Sequence, residues 1–149
     1  MNAIPVPATL VGAEPTPADL LRGAATYIEA HGWHQGALYN RVENPDTPPA
    51  CTVGAVYITG CGLPVAAMDM IAVTDPLGHI RDALHALLGH LDGTDRPLDL
   101  DRLEDHLVAY ELHIGDWNDQ AERTITQVTT ALRDAADEWD RRNPTGGAA

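Results

Sequence analysis

The chain has 149 residues, of which 44% are hydrophobic and 21% charged, with 22 acidic groups against nine basic ones. That is the length of one ordinary domain and the composition of a globular protein, which excludes a disordered or fibrous chain and leaves no room for two large domains. All nine cations are Arg, Lys is missing, and the formal net charge of −13 argues against direct nucleic-acid binding and against docking on anionic lipid.

Residues 1–15 read as an extended N-terminal arm without the basic start of a secretory signal, so the expected location is cytoplasmic. The first helix is clearly punctuated. Thr16 caps it, Pro17 suits its first turn, and Asp19 places negative charge at its positive end. Leu20, Leu21, Ala24, Ala25 and Ile28 share one face, and Gly32 supplies the stop. A polar loop rich in Asn, Asp and Pro follows, with a short run from Ala37 to Val42 that reads as a strand. The longest uncharged stretch, Thr47 to Met68, has the length of a membrane span of about 20 residues. Its prolines, glycines and threonines instead read as buried core, and no membrane association is expected. Residues 50–59 are continuously apolar, so periodicity does not separate helix from strand. Pro49 tips the reading to helix.

Pro64 opens a possible short helix over 64–72. Asp75 and Pro76 start a further helix whose stripe is Leu77, Ile80, Leu84, Leu87, Leu88 and Leu91, ending at Gly93. The next runs from about Asp99 to His113, with Leu100, Leu103, Leu107, Tyr110 and Ile114 at helical spacing and a capping box at Asp101 and Glu104. Thr124 and Gln127 form a capping box for the last helix, which turns Ile125, Val128, Leu132, Ala135 and Trp139 to one side. The expected fold is all-α. It is a compact bundle of about five helices over residues 16–142, with a small β-hairpin near 37–56 as the alternative feature and a flexible tail at 143–149.

Few catalytic patterns survive inspection. There is no Ser and no Gly-x-Ser-x-Gly elbow, no phosphate loop, no dinucleotide fingerprint and no Cys-x-x-Cys pair. Cys51 and Cys61 are expected as free thiols, because ten helical residues hold them about 15 Å apart. His79, Asp82 and His85 share a helical arc of about 120° but lack the ligands that would complete a metal site, so neither a metal nor a cofactor is expected. Asp116-Trp117-Asn118-Asp119 resembles the opening of a calcium loop, yet Ala121 and Gln127 stand where its Gly and Glu belong. The bland reading is a polar turn ahead of the Thr124 cap, with Trp117 packed beneath. Cys51 is the remaining nucleophile candidate. In the first turn of a helix its thiol pKa would be lowered, and Gln35, His106 or His113 and Asn118 stand in the chain order of papain-like hydrolases.

Taken together, Trp33-x-Gln35-Gly36, Cys51-x-x-Gly54-Ala55 and Trp117-Asn118-Asp119, followed by Thr124 and Val128, resemble a family of small uncharacterised proteins. That family is found mainly in actinobacteria and their plasmids and phages, and the likeness runs from about Leu20 to Trp139. The resemblance implies a small cytoplasmic helical domain, no assigned activity and no shared histidine. It also implies that Trp33, Gln35, Gly36, Cys51, Gly54, Trp117, Asn118 and Asp119 meet in space, as core or as pocket. The leading expectation is a non-enzymatic acidic interaction module with a protein partner or a second copy of itself. A Cys51-dependent enzyme acting on a small amide or thioester is the alternative, and an acidic mimic of nucleic acid ranks third.

Overall fold

A computed structural model describes residues 15–42, 44–66, 77–93 and 103–144. Five helices occur among them: α1 (Pro17–His31), α2 (Thr52–Cys61), α3 (Leu77–Asp92), α4 (Leu103–Asn118) and α5 (Ile125–Arg142). There is no strand among the described residues, so the fold is all-α.

The expected hairpin near 37–56 is replaced by two isolated bridges that share Ala50, one parallel to Trp33 and one antiparallel to Tyr39. The reason is that the chain enters a helix at Thr52 and leaves only Ala50 and its neighbours extended. Ala50 donates to the Gly32 carbonyl and accepts from the His34 N–H, while Cys51 donates to the Leu38 carbonyl. Residues 64–66 are not helical, and the rest of the short helix expected over 64–72 lies outside the described residues. The arm at 1–14, the tail beyond 144, the Asp75–Pro76 start and Asp101, the capping partner expected for Glu104, also lie outside them.

Helix α2 explains the long uncharged stretch. Thr52 through Ile58 are all buried, so the helix is apolar on every side and is enclosed by α1, α3 and α4. No described helix is long and apolar enough to cross a membrane. Helix α1 lays its Leu20, Leu21, Ala24, Ala25 and Ile28 face into the same core, with its Thr16–Asp19 capping box formed in both directions. Helix α5 completes the core with Val128, Leu132, Ala135 and Ala136 and is opened by the Thr124–Gln127 capping box. Ile125, expected on the buried face, is 42% exposed, because the first helical residue projects beyond the end of the packed face.

The α1–α5 pair is antiparallel. Arg22 reaches Asp137 and Asp140 at 2.8 and 2.7 Å, and one helical stretch further along α1 Glu29 takes a bidentate pair from Arg133, both at 2.7 Å. These ion pairs are half-exposed and fix the register of the two helices more than they stabilise the fold. Between α3 and α5, His90 Nδ1 lies 3.0 Å from Glu138 Oε2.

Two expected outcomes follow from this packing. The hydrogen bonds from Arg133 and His90 hold the Glu29 and Glu138 carboxyls, respectively, below their ordinary value of 4.5. A carboxyl lowered on folding contributes stability that is present above its unfolded pKa and lost as pH falls through the folded one. The urea midpoint should therefore hold near neutrality and drop below about pH 4.5, less steeply in 1 M salt, where exposed pairs are screened. A midpoint indifferent to acid would contradict the pairing. The second outcome concerns Gly54, where an added Cβ would sit 2.5 Å from the Leu38 carbonyl oxygen and 2.9 Å from Tyr39 Cε1. Gly54→Ala should cost about 2–3 kcal/mol by overpacking against backbone that cannot retreat, read as a lowered urea midpoint with unchanged m-value.

Candidate functional site

Three segments distant in sequence converge at the C-terminal end of α4. The first is the stretch after α1. Gly32 ends that helix at φ 106°, a left-handed value suited to glycine, and the chain then runs past Trp33 to Gly36. The second is the start of α2, and the third is the end of α4 with the turn after it. Asp116-Trp117-Asn118-Asp119 is thus not a free polar turn. The helix expected to end near His113 continues to Asn118, with Trp117 packed against the core and the Asn118 side chain hydrogen-bonded on every side.

Asn118 is the centre. It is fully buried, and its carboxamide oxygen accepts from the Trp33 indole N–H at 2.8 Å, the Thr52 backbone N–H at 3.0 Å and the Thr52 hydroxyl at 2.6 Å. Its NH₂ donates to the His34 carbonyl at 3.1 Å and to Asp119 Oδ1 at 2.9 Å. Both donors and the acceptor of the side chain are therefore engaged. Around it, the Gln35 amide donates to the carbonyls of Asn118 and Gln120, capping the end of α4, and Gly36 N–H donates to Asp119 Oδ1 at 3.0 Å. Trp117 packs half-buried against the core, with the Arg123 guanidinium 4.0 Å from its ring centroid and Arg123 Nε donating to its carbonyl.

Trp33, Gln35, Gly36, Asn118 and Asp119 are thus joined in one hydrogen-bonded network. Gly54 stands one turn into α2, against the loop at Leu38. Thr52 and Arg123 belong to the same assembly and were missed. A hydroxyl inside an otherwise apolar run was the signal for Thr52, since a buried hydroxyl needs a partner. Arg123 gave no signal of that kind.

Cys51 departs from expectation. It is not in the first turn of α2 but caps it, and its sulfur accepts from the Gly54 N–H at 3.3 Å. Burial raises the thiol pKa to about 11, because the desolvated thiolate outweighs what the Gly54 and Val53 amides give back. The lowered thiol pKa that the nucleophile alternative requires is thus overturned, and Cys51 packs as a small buried hydrophobe. No histidine is hydrogen-bonded to Cys51 among the described residues. His106 lies in α4 beside the Tyr110 ring, with centroids 6.2 Å apart, and His113 is exposed. Gln35 points its amide at the end of α4. Both cysteines are free. Among the described residues no three His, Cys, Asp or Glu side chains are grouped to hold a metal ion.

Two other part-buried polar contacts involve α2 and the loop packed on it. The Tyr57 hydroxyl donates to Glu111 Oε2 at 2.6 Å, linking α2 to α4, and burial together with that carboxylate pushes the phenol far up. The Tyr39 hydroxyl donates to the Val65 carbonyl and accepts from the Val65 N–H.

Asn118→Ala should destabilise the protein by about 3–5 kcal/mol, since it leaves buried donors of Trp33 and Thr52 and the His34 carbonyl without partners. Thr52→Val, which removes one of the bonds to that oxygen and preserves shape, should cost only about 1 kcal/mol. Equal costs in chemical denaturation would mean that Asn118 is not the hub. In native alkylation followed by mass spectrometry, the half-buried Cys61 should react first and Cys51 only at the rate of unfolding.

Residues 12–138 match a family model described as "Family of unknown function (DUF6197)". Searches of curated proteins and of solved structures returned no match. The match takes in all three motifs and every described helix except the last turn of α5, and on that extent the chain belongs to the DUF6197 family of unknown function.

Proposed function

We propose that the protein is a non-enzymatic acidic interaction module, and that the outer face of α4 is the surface it offers to a protein partner. The observation that carries this reading is a stripe on that helix. Val108 and Leu112 are 52% and 60% exposed, among the largest apolar exposures of the described residues. Asp105 precedes them by three positions and Asp116 follows by four, and both are exposed. At about 100° per residue all four fall within an arc of roughly 80°. An apolar pair with a carboxylate at each end suits a partner that presents apolar side chains flanked by Arg or Lys.

The polar motif residues support the reading from the other side. Asn118 has no unused donor or acceptor for a substrate, and the Cys51 thiol is buried with a raised pKa. The charge of −13 favours a basic partner over a second copy, because two such surfaces repel.

The test uses the full chain as bait in extract of its natural host, beside the double variant Val108→Arg, Leu112→Arg. Both positions are solvent-facing, so thermal unfolding should be unchanged within about 0.5 kcal/mol. A basic protein retained by the wild type and lost by the variant is the expected result. Identical capture by both proteins overturns the proposal, as does concentration-dependent self-association of the wild type that the variant abolishes, which would make the partner a second copy.

A further inference from the structure

The cleft between α3 and the C-terminal end of α5 belongs neither to the Asn118 network nor to the outer face of α4. It has a volume of about 340 Å³. Cavities of roughly 300–1,000 Å³ are the range in which proteins hold small molecules. Its floor is made of small residues, Ala86 and Gly89 from α3 and Ala135 from α5, which is why two packed helices leave room there. Its walls carry both signs of charge. Asp82 comes from α3, and Glu138 and Arg142 come from α5. The Asp82 side chain, 3.6 Å from Arg81, and the Arg142 side chain, paired with Glu138, are each 54% exposed. Trp139 is half-buried in the same wall, and its indole N–H donates to none of the described residues, while its carbonyl accepts from Asn143.

We infer that this cleft binds a small zwitterion of the α-amino-acid type with an apolar side chain. Asp82 and the carbonyl end of α5 favour the ammonium, since the last turn of a helix carries partial negative charge. Arg142 and the Trp139 indole N–H supply donors for the carboxylate. Glu138 already accepts from His90 at 3.0 Å and from Arg142 at 2.8 Å, so it positions the guanidinium. The Ala86, Gly89 and Ala135 floor takes the ligand's hydrocarbon part. A simple anion would meet Asp82 and the carbonyl end of α5, and a simple cation would meet Arg142; a ligand carrying both charges meets neither penalty.

The experiment follows the Trp139 indole N–H by ¹⁵N-edited NMR during titration with L-leucine, the resonance being assigned with Trp139→Phe. The expected result is a saturable shift with a midpoint below about 10 mM, an affinity in the weak small-ligand range. Isoamylamine and 4-methylpentanoate, each holding one of the two charges, should bind at least about tenfold more weakly, a loss of about 1.4 kcal/mol. Asp82→Asn and Arg142→Gln should weaken L-leucine binding to a similar degree while leaving thermal unfolding unchanged. Absence of any shift by about 20 mM overturns the inference, and so does equal binding of either single-charge analogue.

Discussion

A buried carboxamide cannot be left half-satisfied, and Asn118 sets terms for everything around it. In water each of its groups would bond to solvent. Once sealed in the interior, every unmatched donor or acceptor would cost about 1–3 kcal/mol. The protein meets that demand from three places at once: an indole from the loop after α1, a backbone amide and hydroxyl from the first residue of α2, and a main-chain carbonyl from His34. Because these partners are rigidly placed, one side chain fixes where α1 exits, where α2 enters and where α4 stops. Gln35 and Asp119 extend the arrangement by satisfying amides and carbonyls that the helix end and the loop would otherwise expose.

The placement of α2 depends on this junction. Its apolar surroundings offer no polar group to end the helix, so its N-terminus is closed by two unusual devices, a cysteine sulfur as cap and the asparagine oxygen on its first N–H. Close approach of the Leu38–Tyr39 backbone is possible because position 54 carries no Cβ. The three segments Trp33-x-Gln35-Gly36, Cys51-x-x-Gly54-Ala55 and Trp117-Asn118-Asp119 therefore describe how loops are welded to helix ends in this chain. The two surfaces proposed above for ligands, the α4 stripe and the α3–α5 cleft, both lie apart from those motifs.

Much of this was legible in the sequence, for identifiable reasons. Capping boxes at Thr16–Asp19 and Thr124–Gln127 are local chemistry, and both form as written. The apolar stripes of α1, α3 and α5 are local periodicity. The grouping of Trp33, Gln35 and Asn118 came from motifs read together. What was not legible depended on tertiary partners. Asp and Asn favour turns, so the end of α4 reads as a turn in sequence, whereas Trp33, Gln35 and Thr52 hold Asn118 as the last helical residue. The apolar run at 50–59 carries no periodicity at all, and its start two residues in was set by Cys51. The alternative, catalytic reading of Cys51 needs a thiol activated by a helix dipole, but the interior that surrounds it outweighs that field.

The three segments that meet at Asn118 also have a kinetic meaning. Gln35 and Asn118 are separated by 83 positions, and Thr52 and Asn118 by 66. Closing loops of that size demands chain entropy before any bond is formed, so contacts of this range are assembled after local helices have condensed. The junction is then a late-forming lock. Loosening it would leave the folding rate nearly untouched and act almost wholly on the rate of unfolding, which makes this one asparagine a determinant of how long each folded molecule lasts.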